Sequence, residues 1–205
     1  RRGSFGRARL MTDARLFTSL PTAAFLTELR TTHRTSPERR AAFANEAALA
    51  PGLRKKPLVV LDTNVLLDLW YWDDAVSRFL RTALFADRFW AVRSDDTVDE
   101  LADVLRRRHF GLSVADQCEI LRLWHTASVG VHLADDTQDA FCRDQDDVKF
   151  LTLAQALQAD FLISKDKKVL KAGRKLRRLG VTTISPLDLG KLNLSVFTEV
   201  CDIAD

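Results

Sequence analysis

From Leu58 onward the chain alternates between two periodicities. Apolar runs at 58–61, 89–92, 129–133, 161–164 and 181–184 are separated by segments in which apolar residues recur at helical spacing. Val98, Leu101, Ala102 and Leu105 follow i, i+3, i+4, i+7, and Leu151, Ala154 and Leu157 behave similarly ahead of "ADFLIS". This alternation predicts an α/β fold with a mostly parallel, about five-stranded sheet covered by helices on both faces. Before Leu58 the signals are different. Pro21 and Pro37 each stand where a helix could begin, the second just after Thr35-Ser36 with Glu38 at capping-box spacing. Two short helices ending near Pro51-Gly52 are expected there.

Charge sharpens this division. Residues 1–57 hold 12 Lys/Arg and 4 Asp/Glu, a balance of +8, so residues 58–205 hold 19 and 24, a balance of −5. Four segments are expected: 1–10 as upstream or vector sequence, because Met11 is the only methionine; 11–56 as a basic helical extension; 57–191 as the main domain; and 192–205 as a C-terminal tail. The Arg-rich, acid-poor beginning also fits an organelle transit peptide. With 46% apolar and 29% charged residues the composition is that of a soluble globular protein. Cys118, Cys142 and Cys201 are an odd number without C-x-x-C spacing, which argues against a disulfide framework or a cysteine zinc site. No apolar stretch reaches the roughly 18 residues that span a bilayer. A soluble, cytoplasmic protein is expected.

The stretch "LVVLDTNVLLDLW" places Asp62-Thr63-Asn64 in the most hydrophobic part of the chain. A buried carboxylate costs several kcal/mol unless something compensates it, so Asp62 is a functional candidate on position alone. A second strand, "FLISKD", delivers Asp166 just past its end, and open α/β sheets gather functional groups beyond the carboxyl ends of their strands. Two further acidic groups are ambiguous. Asp144, Asp146 and Asp147 open a helix, as do Asp95 and Asp96, and acids in a first turn also serve as caps favoured by the helix dipole. Glu100 lies opposite the Val98/Leu101/Leu105 stripe, so its spacing predicts a solvated surface residue. If several acids converge, their mutual repulsion demands cations, and hard oxygen ligands without Cys or His favour Mg²⁺ or Mn²⁺. Asn64 and Ser164 would then hold ligands in place. His33, His109, His125 and His132 are scattered and read as structural or exposed.

Taken together, "VVLDTNVLL", a helix running from Ser94 to Glu100-Leu101, and "RDQDDVKFLTLAQALQADFLISKDKKVL" resemble the PIN-domain nucleases, most closely the PIN toxins of bacterial toxin–antitoxin systems, over about 58 to 190. The resemblance implies a three-layer PIN-like fold and metal-dependent hydrolysis of phosphodiester bonds, most often in RNA. By position, Asp62, Glu100, Asp147 and Asp166 resemble the four metal-ligating acids, and Asp144 an additional acid of some members. Ser164 stands where many members carry Thr or Ser, and Thr63 and Asn64 sit beside the first acid. The resemblance also implies Mg²⁺ or Mn²⁺ as cofactor, an RNA substrate, a cognate antitoxin and a homodimer, to which apolar helices after the first strand would contribute. Trp70, Tyr71 and Trp72 read as core or partner surface.

A polyanion needs a route to an acidic site. "KDKKVLKAGRKLRR" supplies Lys165, Lys167, Lys168, Lys171, Arg174, Lys175, Arg177 and Arg178 with one acid among them. The run is either a solvated helix face or a set of phosphate contacts; Arg106-Arg107-Arg108 is a second, weaker candidate. No aromatic residue interleaves with either run, so base stacking is not predicted. Three other readings compete: a haloacid-dehalogenase-like phosphatase, disfavoured because Asn64 stands where a second aspartate is needed; an RNA-processing nuclease without an antitoxin; and a PIN domain that binds RNA or protein without cleaving.

Overall fold

The computed structural model describes residues 26–29, 35–133 and 145–198. Five strands form one sheet: β1 (Leu58–Leu61), β2 (Trp90–Arg93), β3 (Val129–Gly130), β4 (Phe161–Ile163) and β5 (Thr182–Ile184). Their order is β3-β2-β1-β4-β5, and all four pairings are parallel. The helices are α1 (Pro37–Ala47), α2 (Thr63–Leu67), α3 (Arg78–Phe85), α4 (Asp95–Leu105), α5 (Val114–Ala127), α6 (Gln145–Ala156), α7 (Lys167–Gly173), α8 (Pro186–Lys191) and α9 (Ser195–Thr198). A π-helical turn, Asp68–Trp72, prolongs α2, and a 3₁₀ turn, Arg174–Leu179, prolongs α7. None of the described helices is long and apolar enough to cross a membrane.

The unbroken apolar run of β1 reflects burial on both faces. Val59 and Leu61 join one hydrophobic cluster with Leu66, Leu80, Leu101 and Trp124. Leu58 and Val60 join the other with Trp90, Phe150, Leu153 and Val169. Two-residue strand periodicity thus divides four consecutive residues between two cores, which makes a helix–sheet–helix sandwich, the three-layer α/β arrangement read from the alternating pattern. Strand β3 is shorter than its apolar run, and the Arg93 guanidinium fills the space that a Cβ at Gly130 would need.

Segments before β1 and after β5 both contribute to these cores, Leu26 and Leu29 in the first. Phe43 of α1 packs edge-on against Trp90 in the second cluster. Phe197 of α9 packs on Phe79, Phe89 and Phe161. Helix α1 begins at Pro37 as expected; Ser36 is its cap, its hydroxyl accepting from the Arg39 amide, and Glu38, three residues after Thr35, does not complete a capping box. Pro21 lies outside the described residues.

The segment before β1 is tied down by an ion pair. Arg54 Nη1 lies 2.8 Å from Asp160 Oδ2, with the two side chains 1% and 9% exposed. Asp160 also accepts from the amides of Gly52 and Leu58, and Arg54 donates to the carbonyls of Glu46 and Gln158. Removing one member of a buried pair strands the other charge. Arg54→Met should therefore lower the unfolding free energy by about 3–5 kcal/mol in urea denaturation. Arg106→Met, at the exposed pair with Asp103, should cost about 0–1 kcal/mol. Equal losses would remove Arg54 as an anchor.

Candidate metal centre

The order β3-β2-β1-β4-β5 places a topological switch between β1 and β4, where the chain reverses its direction of travel across the sheet. Crevices beyond the carboxyl ends of strands form at such points. Leu61 pairs with Ile163 across this seam, and the Asp62 amide donates to the Ile163 carbonyl at 3.0 Å. The strand ends therefore deliver Asp62 and Ser164 to the same place.

Asp62 is 5% exposed. Ser164 Oγ donates to its Oδ2, and Asn64 Nδ2 donates to the same oxygen at 2.7 Å. Both side-chain donors thus act on one oxygen and leave Oδ1 to other partners. The Lys165 amide donates to Asn64 Oδ1 at 3.0 Å, and the Asp166 amide donates to Ser164 Oγ at 2.9 Å. The turn after β1 and the turn after β4 clamp each other, with Asn64 bridging both. Burial pushes the Asp62 carboxyl up to about 6; the bonds from Ser164 and Asn64 counter this, and the charge of Glu100 adds to it.

Glu100 departs from its expected place. It is not solvated: Thr63 Oγ1 donates to Oε1 at 2.9 Å, and Lys149 Nζ lies 2.8 Å from Oε2. Helical spacing misled because α4 buries two adjoining stripes. Thr97 and Val104 are buried along with Val98, Leu101, Ala102 and Leu105, and Glu100 projects between its turn-neighbours Thr97 and Val104. The start of α4 is set by a reciprocal cap between Ser94 and Thr97, rather than by Asp95 or Asp96.

Asp166 lies next to this network through its amide, while its Oδ1 accepts from the Lys168 amide at 2.6 Å and caps α7. Asp147 falls in α6, but its side chain lies outside the described residues, as does the whole of Asp144. Among the described residues no group of three or more His, Cys, Asp or Glu side chains is gathered to hold a metal ion. The pair Asp62 and Glu100 nevertheless fits a divalent cation in its chemistry. Both are hard oxygen donors, their charges oppose each other, and the side-chain donors to Asp62 engage Oδ2 rather than Oδ1. His125 is buried, His109 and His132 are exposed, and His33 lies outside the described residues.

Lys167, Lys168, Lys171, Arg174, Lys175, Arg177 and Arg178 are all exposed along α7 and its 3₁₀ extension. Gly173 lets this element lie against β5, because a Cβ there would overlap the Thr183 side chain. Lys165 is a correction to the expected basic surface. Its ammonium lies 2.9 Å from Asp68 and 3.5 Å from Asp74, so it is already neutralised within the fold. Burial works against its charge, but the two acids outweigh it and hold its pKa above the usual range. Asp68 is 3% exposed and also accepts from Ser77 Oγ at 3.0 Å. Trp70 is buried against Trp124, whereas Trp72 is exposed.

Two residues of this region were not singled out by sequence, Asp68 and Lys149. Asp68 carried the same signal as Asp62, an acid inside the apolar run "VLLDLW". Lys149 stands at the margin of the buried stripe Phe150, Leu153 and Ala154, one helical turn before Leu153.

No curated protein matches the chain. A family model described as PIN domain matches residues 58–168, more than half of the 205-residue chain. The matched span begins at the first residue of β1 and includes Asp62, Glu100, Asp147 and Asp166. PIN domains are typically nucleases and generally depend on divalent metal. On that match, supported by an all-parallel sheet with acids at its carboxyl edge, the chain belongs to the PIN-domain family.

Proposed function

We propose that the chain is an Mg²⁺- or Mn²⁺-dependent endoribonuclease and the toxin of a type II toxin–antitoxin pair, acting in the cytoplasm as a homodimer restrained by a cognate antitoxin. The observation that carries the nuclease reading is the buried Asp62 carboxylate at the switch point, with Glu100 close enough to raise its pKa. Toxin character rests on the resemblance in motif sequence and spacing. The exposed Trp72, Val76 and Phe85 supply apolar surface for a second copy.

Asp62 and Glu100 would hold the cation, with Asp147 and Asp166 completing the set. When bound, a divalent cation supplies polarisation of the attacking water and neutralises charge on the leaving oxygen. The chain's own residues set the geometry. Ser164 and Asn64 fix Asp62 through Oδ2, and among the described residues no side-chain donor engages Oδ1, so the carboxylate would have an oxygen to offer the cation. Thr63 fixes one oxygen of Glu100. The exposed cations of α7 begin directly after Asp166 and give the RNA backbone a positively charged approach.

Two experiments test this reading. Asp147→Asn should reduce Mn²⁺-dependent RNA cleavage by more than the roughly 10–100-fold typical of groups that merely support a ligand, with an unchanged circular dichroism spectrum. Asp146→Asn should have little effect, and the reverse result would move the third acid to Asp146. Replacing Lys167, Lys168, Arg174 and Arg177 with Gln should weaken RNA binding and flatten its dependence on salt, by about 0.7 of a logarithmic unit of slope for each phosphate that is no longer neutralised. An unchanged slope would return this element to a solvated face.

A further inference from the structure

Glu100 already has a cation. Its Oε2 lies 2.8 Å from Lys149 Nζ, and the two side chains are only 21% and 25% exposed. Its Oε1 is occupied by a neutral donor, Thr63, itself buried. In the metal-free arrangement, then, the side-chain donors to Asp62 are neutral and act on one oxygen, whereas Glu100 has a neutral donor on one oxygen and an ammonium on the other. A divalent ion placed between the two acids would meet Lys149 on the oxygen it needs, and like charges a few ångströms apart repel each other.

Resting on the metal-nuclease reading, we propose that Lys149 is a built-in counter-cation of the metal-free site, which competes with the divalent ion for Glu100 and is displaced when the ion binds. The placement suits that role. Lys149 projects from α6, which packs with Phe150, Leu153 and Ala154 in the second core, so its backbone is fixed while its flexible four-carbon stem can swing its head away. Glu100 is fixed from the other side by α4 and by Thr63. Lys149 therefore stabilises the empty site and sets how much metal is needed to load it. Coupling of this kind is reciprocal, so what Lys149 contributes to the metal-free protein is subtracted from metal affinity.

The test uses the full chain stripped with EDTA and titrated with Mn²⁺ by calorimetry, with melting temperature recorded before metal is added. Lys149→Met should melt lower than wild type without metal and bind Mn²⁺ roughly tenfold more tightly. Lys149→Gln, which keeps a neutral donor for Glu100, provides a milder version of the same change and should also bind more tightly. Lys55→Gln, an exposed lysine outside the site, controls for loss of one positive charge and should bind as wild type does. If wild type binds Mn²⁺ and both Lys149 variants bind equally or more weakly, Lys149 is a supporting group and the proposal is overturned while the metal reading stands. If none of the proteins binds Mn²⁺, both fail. Tighter binding by Lys55→Gln to the same degree would also overturn the proposal, since a global charge effect would explain it.

Discussion

A carboxylate buried at the end of the central strand is the constraint on which the rest of this structure turns. Two neutral side-chain donors on a single oxygen do not offset the cost of removing the Asp62 charge from water, which is why its carboxyl is pushed up to about 6. Glu100 increases the strain. A carboxyl that titrates at about 6 is mostly ionised at neutral pH and carries a cost there, which a divalent cation would relieve.

The fold creates this situation through the sheet. Because β1 is sandwiched between β2 and β4 and covered on both faces, any residue that ends it is buried unless the connections part there. They part between β1 and β4. The turns 62–64 and 164–166 meet across the gap and exchange hydrogen bonds through Asn64 and Ser164, so the acid is held in one orientation before any ligand arrives. The π-helical turn that follows α2 brings in Asp68, which holds the Lys165 ammonium. Lys165 thus links the two sides of the seam a second time.

Much of this was legible in the sequence, for identifiable reasons. Strands buried on both faces appear as short apolar runs, so four strands fell within a residue or so of their predicted places. Asp62 announced itself because no solvated residue belongs in "LVVLD". Glu100 did not, because helical spacing reports only the stripe with the largest side chains, and the Thr97/Val104 stripe is built from residues that also occur on surfaces. Asp68 gave the same signal as Asp62 and differs in having an ammonium in place. Lys149 and Lys165 show the general limit: whether a lysine is a free surface charge or a resident counter-ion depends on what the fold sets opposite it. The basic segment before β1 read as an appendage from its charge, but it contributes Leu26, Leu29, Phe43 and Arg54 to the packed body, and a buried pair with Asp160, more than a hundred positions away, cannot be seen in local composition.

The central claim, that Asp62 is a carboxylate awaiting a divalent cation, is tested most directly by the pH dependence of stability in wild type and Asp62→Asn, with and without Mn²⁺. The folded carboxyl titrates at about 6, against a reference value of 3.8. A raised acid contributes its stabilisation fully below the unfolded value and loses it as pH rises through the folded one. In EDTA, wild type should therefore lose roughly 2 kcal/mol relative to Asp62→Asn between pH 4 and pH 7, and Mn²⁺ at pH 7 should restore wild type and leave the variant little changed. A wild type that keeps its stability relative to the variant across that range in EDTA, or that gains nothing from Mn²⁺, would contradict the account.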